Sequence, residues 1–226
     1  MPEKKYHVIF HHGWGLSPDL WKTWEPFLKN ESIKSFISRG YFGSPSKSER
    51  FNQSLKKILV CHSLGLHIVS PELIKHSNAL IIFGGFNGFH GEKGFSHRLS
   101  QKIVKAMQTQ MIKKPEQVVR TFYTNCGLRP PQSFEYLNKN LLLEDLIHLD
   151  QNELDLKIFD NTEKILLIHG ENDKIVLLER AAALHKELAN SDLLIHKEGG
   201  HGLPFTHEKE CMRLVLNSNC FKRLIK

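Results

Sequence analysis

Short apolar runs separated by helical stretches dominate the hydrophobic pattern of the chain. Each of six runs is rich in Val, Ile, Leu or Phe, and the segments between most of them have the spacing of helices. Runs of this kind are typical of strands in a parallel sheet that helices cover on both faces. The predicted strands are Tyr6–His11, Ile33–Ser38, Lys57–His62, Ala79–Gly84, Lys164–His169 and Asp192–His196. The pattern therefore predicts an α/β fold with a mostly parallel sheet of about six strands.

The alternation of strands and helices changes in two places. Residues 39–56 are rich in glycine, serine and proline, so the helix expected between the second and third strands must be short or absent. After the fourth strand the chain has the pattern of several helices, interrupted at Pro115 and at Pro130-Pro131. We therefore divide the chain into a first core part, residues 1–88, a helical insertion, residues 89–160, and a second core part, residues 161–226.

Ser63 lies between a predicted strand and a predicted helix, in the sequence Cys61-His62-Ser63-Leu64-Gly65. A strand, a sharp turn and a helix with a serine at the apex form the setting that the nucleophile-elbow motif G-x-S-x-G requires. Cys61 replaces the first glycine of this motif, but cysteine is small enough for the close approach of strand and helix. The pattern predicts Ser63 as a nucleophile, which needs a nearby base.

Asp173 and His201 each follow a later predicted strand, and ligands of open parallel sheets bind at the carboxyl ends of strands. The chain order Ser63, Asp173, His201 is that of α/β-hydrolases and differs from the orders in trypsin and subtilisin. We predict that these three residues form the catalytic triad. Asp192 or Glu198 in place of Asp173 remains an alternative for the acid.

A glycine-rich loop, Gly13-Trp14-Gly15, follows the first predicted strand. Acyl transfer creates a negatively charged oxygen that backbone N–H groups can stabilise. We expect one N–H from Leu64, after the nucleophile, and the other from Trp14, where the flanking glycines allow the backbone to turn.

These motifs make nearly the whole chain similar to the α/β-hydrolases, and more narrowly it resembles the pimeloyl-[acyl-carrier protein] methyl ester esterases of biotin synthesis. The narrower resemblance rests on Gly13-Trp14-Gly15-Leu16 with Trp21, His62-Ser63-Leu64-Gly65, Gly170-Glu171-Asn172-Asp173, and His201-Gly202 with Pro204-Phe205 and His207. The resemblance implies a minimal α/β-hydrolase fold with a helical cap, residues 89–160, after the fourth strand. It also implies removal of a methyl group from an acyl chain tethered to acyl carrier protein.

Other activities use the same groups. A serine at position 63 disfavours dehalogenase and epoxide hydrolase chemistry, for which a carboxylate is expected there. A carboxylesterase or thioesterase acting on other small acyl substrates, or an acyltransferase, would use the same triad. A non-catalytic binding module on this fold is a further alternative, which the joint presence of serine, acid, histidine and oxyanion loop disfavours. Bulky apolar residues near the expected site are candidates for the wall of an acyl pocket, and ordinary core positions are the alternative for each of them. From a wider set that also holds Phe89, Met107 and Met111, we select Trp14, Phe83, Phe86, Phe122 and Tyr123 as the pocket residues.

Charge is unevenly distributed along the chain, whose formal net charge is +7. Residues 90–130 hold eight Lys or Arg against two acids, a surplus of six. Single-signed patches steer association, and acyl carrier protein is acidic, so we expect part of the cap to bind it. The predicted docking residues are Arg98, Lys102, Lys105, Lys113, Lys114 and Arg120. Solvated helix faces without a partner are the alternative, and no nucleic-acid module is recognisable.

Composition gives further expectations. The chain has 226 residues, of which 40% are hydrophobic and 24% charged, as expected for one globular domain. It lacks a signal-peptide pattern and any apolar run of about 18 residues. Its four cysteines and fourteen histidines show no metal-binding spacing. We therefore expect a cytoplasmic monomer that uses no metal and no cofactor and binds neither membranes nor nucleic acid.

Overall fold

The computed structural model describes residues 3–28, 30–47 and 50–218. All six predicted strands are present and form one parallel sheet in the order β2-β1-β3-β4-β5-β6. The strands are β1 (Tyr6–His11), β2 (Ser32–Ile37), β3 (Lys56–His62), β4 (Ala79–Phe83), β5 (Lys164–Gly170) and β6 (Ser191–His196). The prediction of the strands is confirmed, because each strand begins and ends within one residue of its expected limits.

Helices connect most of the strands. The α-helices are α1 (Gly65–Ile68), α2 (Pro71–Lys75), α3 (Phe95–Lys113), α4 (Pro115–Asn125), α5 (Lys139–Gln151), α6 (Leu178–Glu187), α7 (Leu203–Thr206) and α8 (Glu208–Asn217). Two 3₁₀ segments cover Pro18–Phe27 and Leu156–Phe159. Pro26 lies inside the first of these and has no N–H to donate to an i−4 carbonyl.

Alternate residues of the strands form two buried layers. On one face Phe10 and Val60 pack against Trp21, Trp24 and the apolar side of α8. On the other face Leu59 and Ile82 pack against residues of α1, α2 and α6. Helices therefore cover both faces of the sheet, as the continuous apolar runs predict.

The parallel arrangement determines the position of the candidate site. The carboxyl ends of β1, β3, β5 and β6 lie at one edge of the sheet, because all six strands run in the same direction. The loops that follow these four strands contain Trp14, Ser63, Asp173 and His201, respectively. Residues far apart in the sequence are therefore close together in the fold.

The segment between β2 and β3 contains no helix in its described parts, residues 38–47 and 50–55, as expected from its composition. Phe42 in this segment forms an antiparallel bridge with Leu137, just before α5. Helices α3, α4 and α5 follow β4, and α3 packs against both of the others, mainly against α5. The β2–β3 loop thus contacts the helical segment that was predicted as a cap.

Three cysteines are buried, and Cys220 lies outside the described residues. Burial raises the pKa of the Cys211 thiol to about 12, and the pKa of Cys126 is also raised. In the part of the chain that the structure describes, no helix is long and apolar enough to cross a membrane. The same residues contain no cluster of three or more His, Cys, Asp or Glu suited to a metal ion.

Candidate active site

Ser63 follows β3 with φ of +53° and is the one non-glycine residue with positive φ among those described. Backbone strain of this kind is concentrated at functional sites. Gly65 opens α1 against the β1 loop, where an added Cβ would lie 2.6 Å from the carbonyl oxygen of His12. Cys61, at the first small position of the motif, packs with Leu66 in the buried layer on that face. The strand–turn–helix geometry predicted at Ser63 is present.

His201 connects Ser63 to Asp173. Its Nε2 lies 3.0 Å from the Ser63 Oγ, and its Nδ1 lies 2.7 Å from the Asp173 Oδ2. The side chains of His201 and Asp173 are 0% and 1% exposed. The three predicted triad residues therefore form one buried hydrogen-bonded chain.

Asp173 is held by further donors. Its Oδ1 accepts hydrogen bonds from the backbone N–H groups of Ile175 at 2.8 Å and Val176 at 2.9 Å. Burial raises the pKa of this carboxyl, but the interactions with His201 and His169 and the hydrogen bond from Ile175 outweigh it, so the pKa lies below its ordinary value. Asp173 is therefore ionised at neutral pH and accepts the Nδ1–H of His201.

Other groups that could act on Ser63 or His201 have different contacts. The Nε2 of His62 donates to the carbonyl oxygen of His201 at 2.8 Å, which directs this ring to the backbone of His201. Asp192 lies near the start of β6, at the opposite end of that strand from His201. Glu198 is exposed. The geometry favours Asp173 as the acid.

Trp14 and Leu64 line the same cavity as Ser63. The indole Nε1 of Trp14 donates to the carbonyl oxygen of Leu142 on α5 at 2.8 Å, and its ring packs edge-on against Phe122 at 4.9 Å. Within the described ranges, the backbone N–H groups of Trp14 and Leu64 donate no hydrogen bond to a protein acceptor. Both N–H groups are therefore available to a negatively charged oxygen at Ser63.

A cavity of about 640 Å³ adjoins Ser63 and is lined mainly by α3, α4, α5 and the loop after β5. Of the predicted pocket residues, Trp14 and Phe122 line it. Phe83, Phe86 and Tyr123 do not. Phe83 packs into the core against Trp24, Phe86 stacks on the His67 ring at 4.4 Å, and Tyr123 lines a separate groove on the other side of α4.

Phe89 and Met107, from the wider set of candidates, also line the cavity, whereas most of its other lining residues were not predicted. The unpredicted apolar residues of the wall are Ile103, Val104, Ala106, Val118, Leu146, Leu149 and Ile175, and polar residues such as Gln110, Gln117 and Asn125 accompany them. Val104 and Met107 on α3 are three residues apart, and Val118 and Phe122 on α4 are four residues apart. The helical period could therefore have identified the shared face. The period does not reveal which face is turned toward Ser63.

The six predicted docking residues are all exposed. None forms an ion pair with a carboxylate in the described ranges. Lys114 lies at the wall of the cavity, and the Arg120 guanidinium lies 4.6 Å from the centre of the Phe134 ring. Helix α3 carries cations and has no acidic residue.

Three histidines near the site, of which His12 and His62 are buried and His67 is partly buried, have low pKa values. Burial lowers the pKa of His12 and of His62 to about 3 and that of His67 to about 4, from an ordinary value of 6.5. At pH values between these lowered pKa values and 6.5, the three histidines bind protons in the unfolded chain but not in the folded chain. Stability is therefore highest above pH 6.5 and falls as the pH is lowered.

We expect the free energy of unfolding to fall by up to about 4 kcal/mol per pH unit below pH 6, since each of the three histidines contributes about 1.4 kcal/mol. Urea unfolding at pH 7.5 and pH 5.5 measures this difference. His67→Gln should reduce it by about a third. Equal stability of the wild-type protein at the two pH values would contradict the burial of neutral histidines.

Comparisons with known proteins bear on the fold of the chain. The Abhydrolase_4 family model, described as TAP-like protein, matches residues 149–218, the part that contains Asp173 and His201. An esterase from Exiguobacterium antarcticum has a TM-score of 0.73 at 17% identity, covering 95% of this chain and 92% of the esterase. A bromoperoxidase from Bacillus anthracis has a TM-score of 0.68 at 21% identity, covering 94% and 91%.

A lipase-esterase related protein from Clostridium acetobutylicum has a TM-score of 0.67 at 16% identity, covering 95% of this chain and 94% of that protein. These similarities extend over almost the whole length of both partners in each comparison. Together with the six-stranded parallel sheet and its order, they show that this chain has the fold of the α/β-hydrolase superfamily.

Proposed function

We propose that this protein is a serine carboxylesterase that removes the methyl ester from a pimeloyl chain carried on acyl carrier protein in biotin synthesis. The observation that carries the proposal is the hydrogen-bonded chain from Ser63 through His201 to Asp173 beside an apolar cavity. An esterase and a lipase-esterase related protein share the fold, which supports the hydrolase class. The narrower substrate rests on the sequence resemblance.

The reaction proceeds in two steps. The Nε2 of His201 takes the proton of Ser63 as its Oγ attacks the ester carbonyl, while Asp173 stabilises the imidazolium that forms. The backbone N–H groups of Trp14 and Leu64 stabilise the negatively charged oxygen of the tetrahedral intermediate. Methanol leaves with the proton from His201, and a water molecule activated by the same ring then hydrolyses the acyl-enzyme.

The cavity supports an acyl substrate. Its wall is mainly apolar, and a volume of about 640 Å³ is within the usual range for small-molecule sites. Lys114 and Lys174 also line it, and no Asp or Glu among the described residues does. A substrate with an apolar chain and an anionic group fits a cavity with an apolar wall and two lysines. An acyl chain carried on the phosphate-containing arm of a carrier protein has both features.

The substrate is tested with pimeloyl methyl ester bound to acyl carrier protein and intact-mass measurement of the carrier. Ester hydrolysis should reduce the mass of the loaded carrier by one CH₂ group and leave the thioester intact. Loss of the whole acyl group would identify a thioesterase instead. An unchanged mass together with hydrolysis of small free esters would restrict the function to other acyl esters.

Charge reversal on the cap tests the docking surface. Arg98→Glu should raise the Michaelis constant for the carrier-bound ester about threefold at low salt, since exposed ion pairs contribute up to about 1 kcal/mol. Small free esters should be hydrolysed at the wild-type rate, because they do not contact the charged outer surface of the cap. The effect should shrink at high salt, as the Debye length falls from about 10 Å at 0.1 M to about 3 Å at 1 M.

Lys56→Glu is the matched control, because this exposed lysine begins β3 at the opposite end of the sheet. Arg120→Glu provides a second reversal, although its guanidinium also packs on Phe134. Equal losses on both substrates would indicate a misfolded cap. No loss on either substrate would show that these residues are solvated surface.

A further inference from the structure

We infer that Asp145, on cap helix α5, is a positioning residue for the oxyanion hole. Its paired carboxylate joins α5 to the loop after β2, and both of these segments contact the loop that contains Trp14. The inference rests on the proposed esterase function. It makes the cap a part of the catalytic geometry as well as a wall of the substrate cavity.

Asp145 is the centre of a buried polar cluster. Its two carboxylate oxygens accept hydrogen bonds from the Arg39 Nη2 at 2.8 Å and the Arg39 Nε at 2.9 Å. The Tyr41 hydroxyl donates to the Oδ2 of Asp145 at 2.6 Å. The carboxylate side chain is 4% exposed and that of Arg39 is 35% exposed. A bidentate pair of this kind fixes geometry as well as neutralising charge, so the two segments are held in one orientation.

Helix α5 contacts Trp14 directly. Leu142, one turn before Asp145, accepts the indole N–H of Trp14 through its carbonyl oxygen at 2.8 Å. The N–H of Asn138, at the start of the helix, donates to the carbonyl oxygen of Tyr41 at 2.8 Å. The start and the middle of α5 are therefore both hydrogen-bonded to the β2–β3 loop, through Asn138 and Asp145. Leu142, in the helical turn between them, accepts the hydrogen bond from the Trp14 indole.

The same loop contacts the oxyanion loop from its other side. The backbone N–H of Arg39 donates to the Nε2 of His12 at 3.1 Å, and the Nδ1 of His12 donates to the carbonyl oxygen of Gly13 at 2.9 Å. This pattern requires neutral His12, and burial lowers its pKa to about 3. Arg39 thus contacts His12 through its backbone and Asp145 through its side chain.

Trp14 is therefore fixed from two directions, by Leu142 on α5 and by the Arg39–His12 contact. Its backbone N–H must lie in one position relative to Ser63 to stabilise the oxyanion. A displacement of about 1 Å in a catalytic group lowers turnover by about 10²-fold. Loosening α5 should consequently reduce the rate of the chemical step even for substrates too small to fill the cavity.

The same helix provides a matched control in Asp150. The Nε2 of His90 lies 3.0 Å from the Oδ1 of Asp150, whose side chain is 13% exposed, so this pair ties the end of α5 to the segment after β4. In the described part of the chain Asp150 has no contact with the oxyanion loop. Asp145→Asn and Asp150→Asn make the same chemical change on one helix, but the first affects the pair with Arg39 and the second the pair with His90.

The experiment compares these variants on p-nitrophenyl acetate, with an aryl boronic acid as a tetrahedral inhibitor. Asp145→Asn should lower kcat about 10- to 100-fold with a similar KM, and should weaken the inhibitor in parallel. Asp150→Asn should leave kcat close to the wild-type value, because its partner His90 forms no hydrogen bond with Ser63 or the oxyanion loop in the described structure. In a Trp14→Phe background, Asp145→Asn should cause a smaller further loss than in the wild type.

Tyr41→Phe removes one hydroxyl from the cluster and should also lower kcat. This variant allows the inference to be tested if Asp145→Asn does not fold. Three results would overturn the inference. They are equal kcat values for Asp145→Asn and Asp150→Asn, a rise in KM without a fall in kcat for Asp145→Asn, and full additivity of Asp145→Asn with Trp14→Phe. If the wild-type protein shows no hydrolysis that depends on Ser63, the proposed function fails and this inference fails with it. Hydrolysis that depends on Ser63 but not on Asp145 would overturn the inference alone.

Discussion

Replacing Ser63 with alanine is expected to lower kcat/KM for a short p-nitrophenyl ester by at least about 10³-fold, since removal of a triad nucleophile elsewhere has effects of this size or larger. The Oγ of Ser63 is the atom that attacks the carbonyl, and no other hydroxyl in the described structure lies within hydrogen-bond distance of the His201 Nε2. The thermal midpoint should stay within a few degrees, because one hydroxyl contributes little packing.

Ser54→Ala is the control for this variant. Ser54 is exposed in the turn before β3, at the opposite end of the strand from Ser63. It should retain full activity. Retention of activity in Ser63→Ala would contradict the serine mechanism, and loss of activity in both variants would point to impaired folding.

The second large effect is expected for Asp173→Asn. Asp173 accepts the Nδ1–H of His201 at 2.7 Å, whereas an amide can offer that position an N–H and so favour the wrong imidazole tautomer. Loss of the correct tautomer lowers turnover by up to about 10⁴-fold in serine hydrolases. We therefore expect a loss of about 10³- to 10⁴-fold in kcat, measured on the same short ester.

Glu198→Gln tests the choice of acid, because Glu198 precedes His201 in the same loop and is exposed. Its activity should remain within about twofold of the wild type, as for most surface substitutions. A severe loss in Glu198→Gln with a mild loss in Asp173→Asn would show that the acid has been chosen incorrectly.

The strands and their carboxyl ends could be predicted because they depend on local pattern. Each buried strand is a short run of branched apolar residues, and the parallel arrangement brings the loops after β1, β3, β5 and β6 to one edge. Ser63, Asp173 and His201 were found from motifs inside such loops. Their mutual geometry then follows from the sheet order.

The walls of the cavity could not be predicted in the same way. Phe83 and Phe86 lie close in sequence to the carboxyl end of β4, but both turn away from the cavity, Phe83 toward Trp24 and Phe86 onto His67. Phe122 and Tyr123 are neighbours in α4 and face different sides of it, so only Phe122 lines the cavity. The rotation of a helix about its axis depends on packing partners that are distant in sequence.

The Asp145 cluster illustrates the same difficulty. Asp145 and Arg39 are separated by 106 residues, and neither belongs to a local motif. The sequence pattern places Asp145 in an acidic stretch that resembles an ordinary solvated helix face. Its burial arises because the β2–β3 loop, which lacks a helix, lies against α5.

The central claim is that Ser63 is a nucleophile activated by His201. Its most direct test is the reaction of the protein with a p-nitrophenyl alkylphosphonate, followed by peptide mass spectrometry. We predict one phosphonyl group per chain, attached to Ser63, and no labelling of Ser63→Ala under the same conditions. Absence of labelling, or a phosphonyl group on a different residue that persists in Ser63→Ala, would contradict the account.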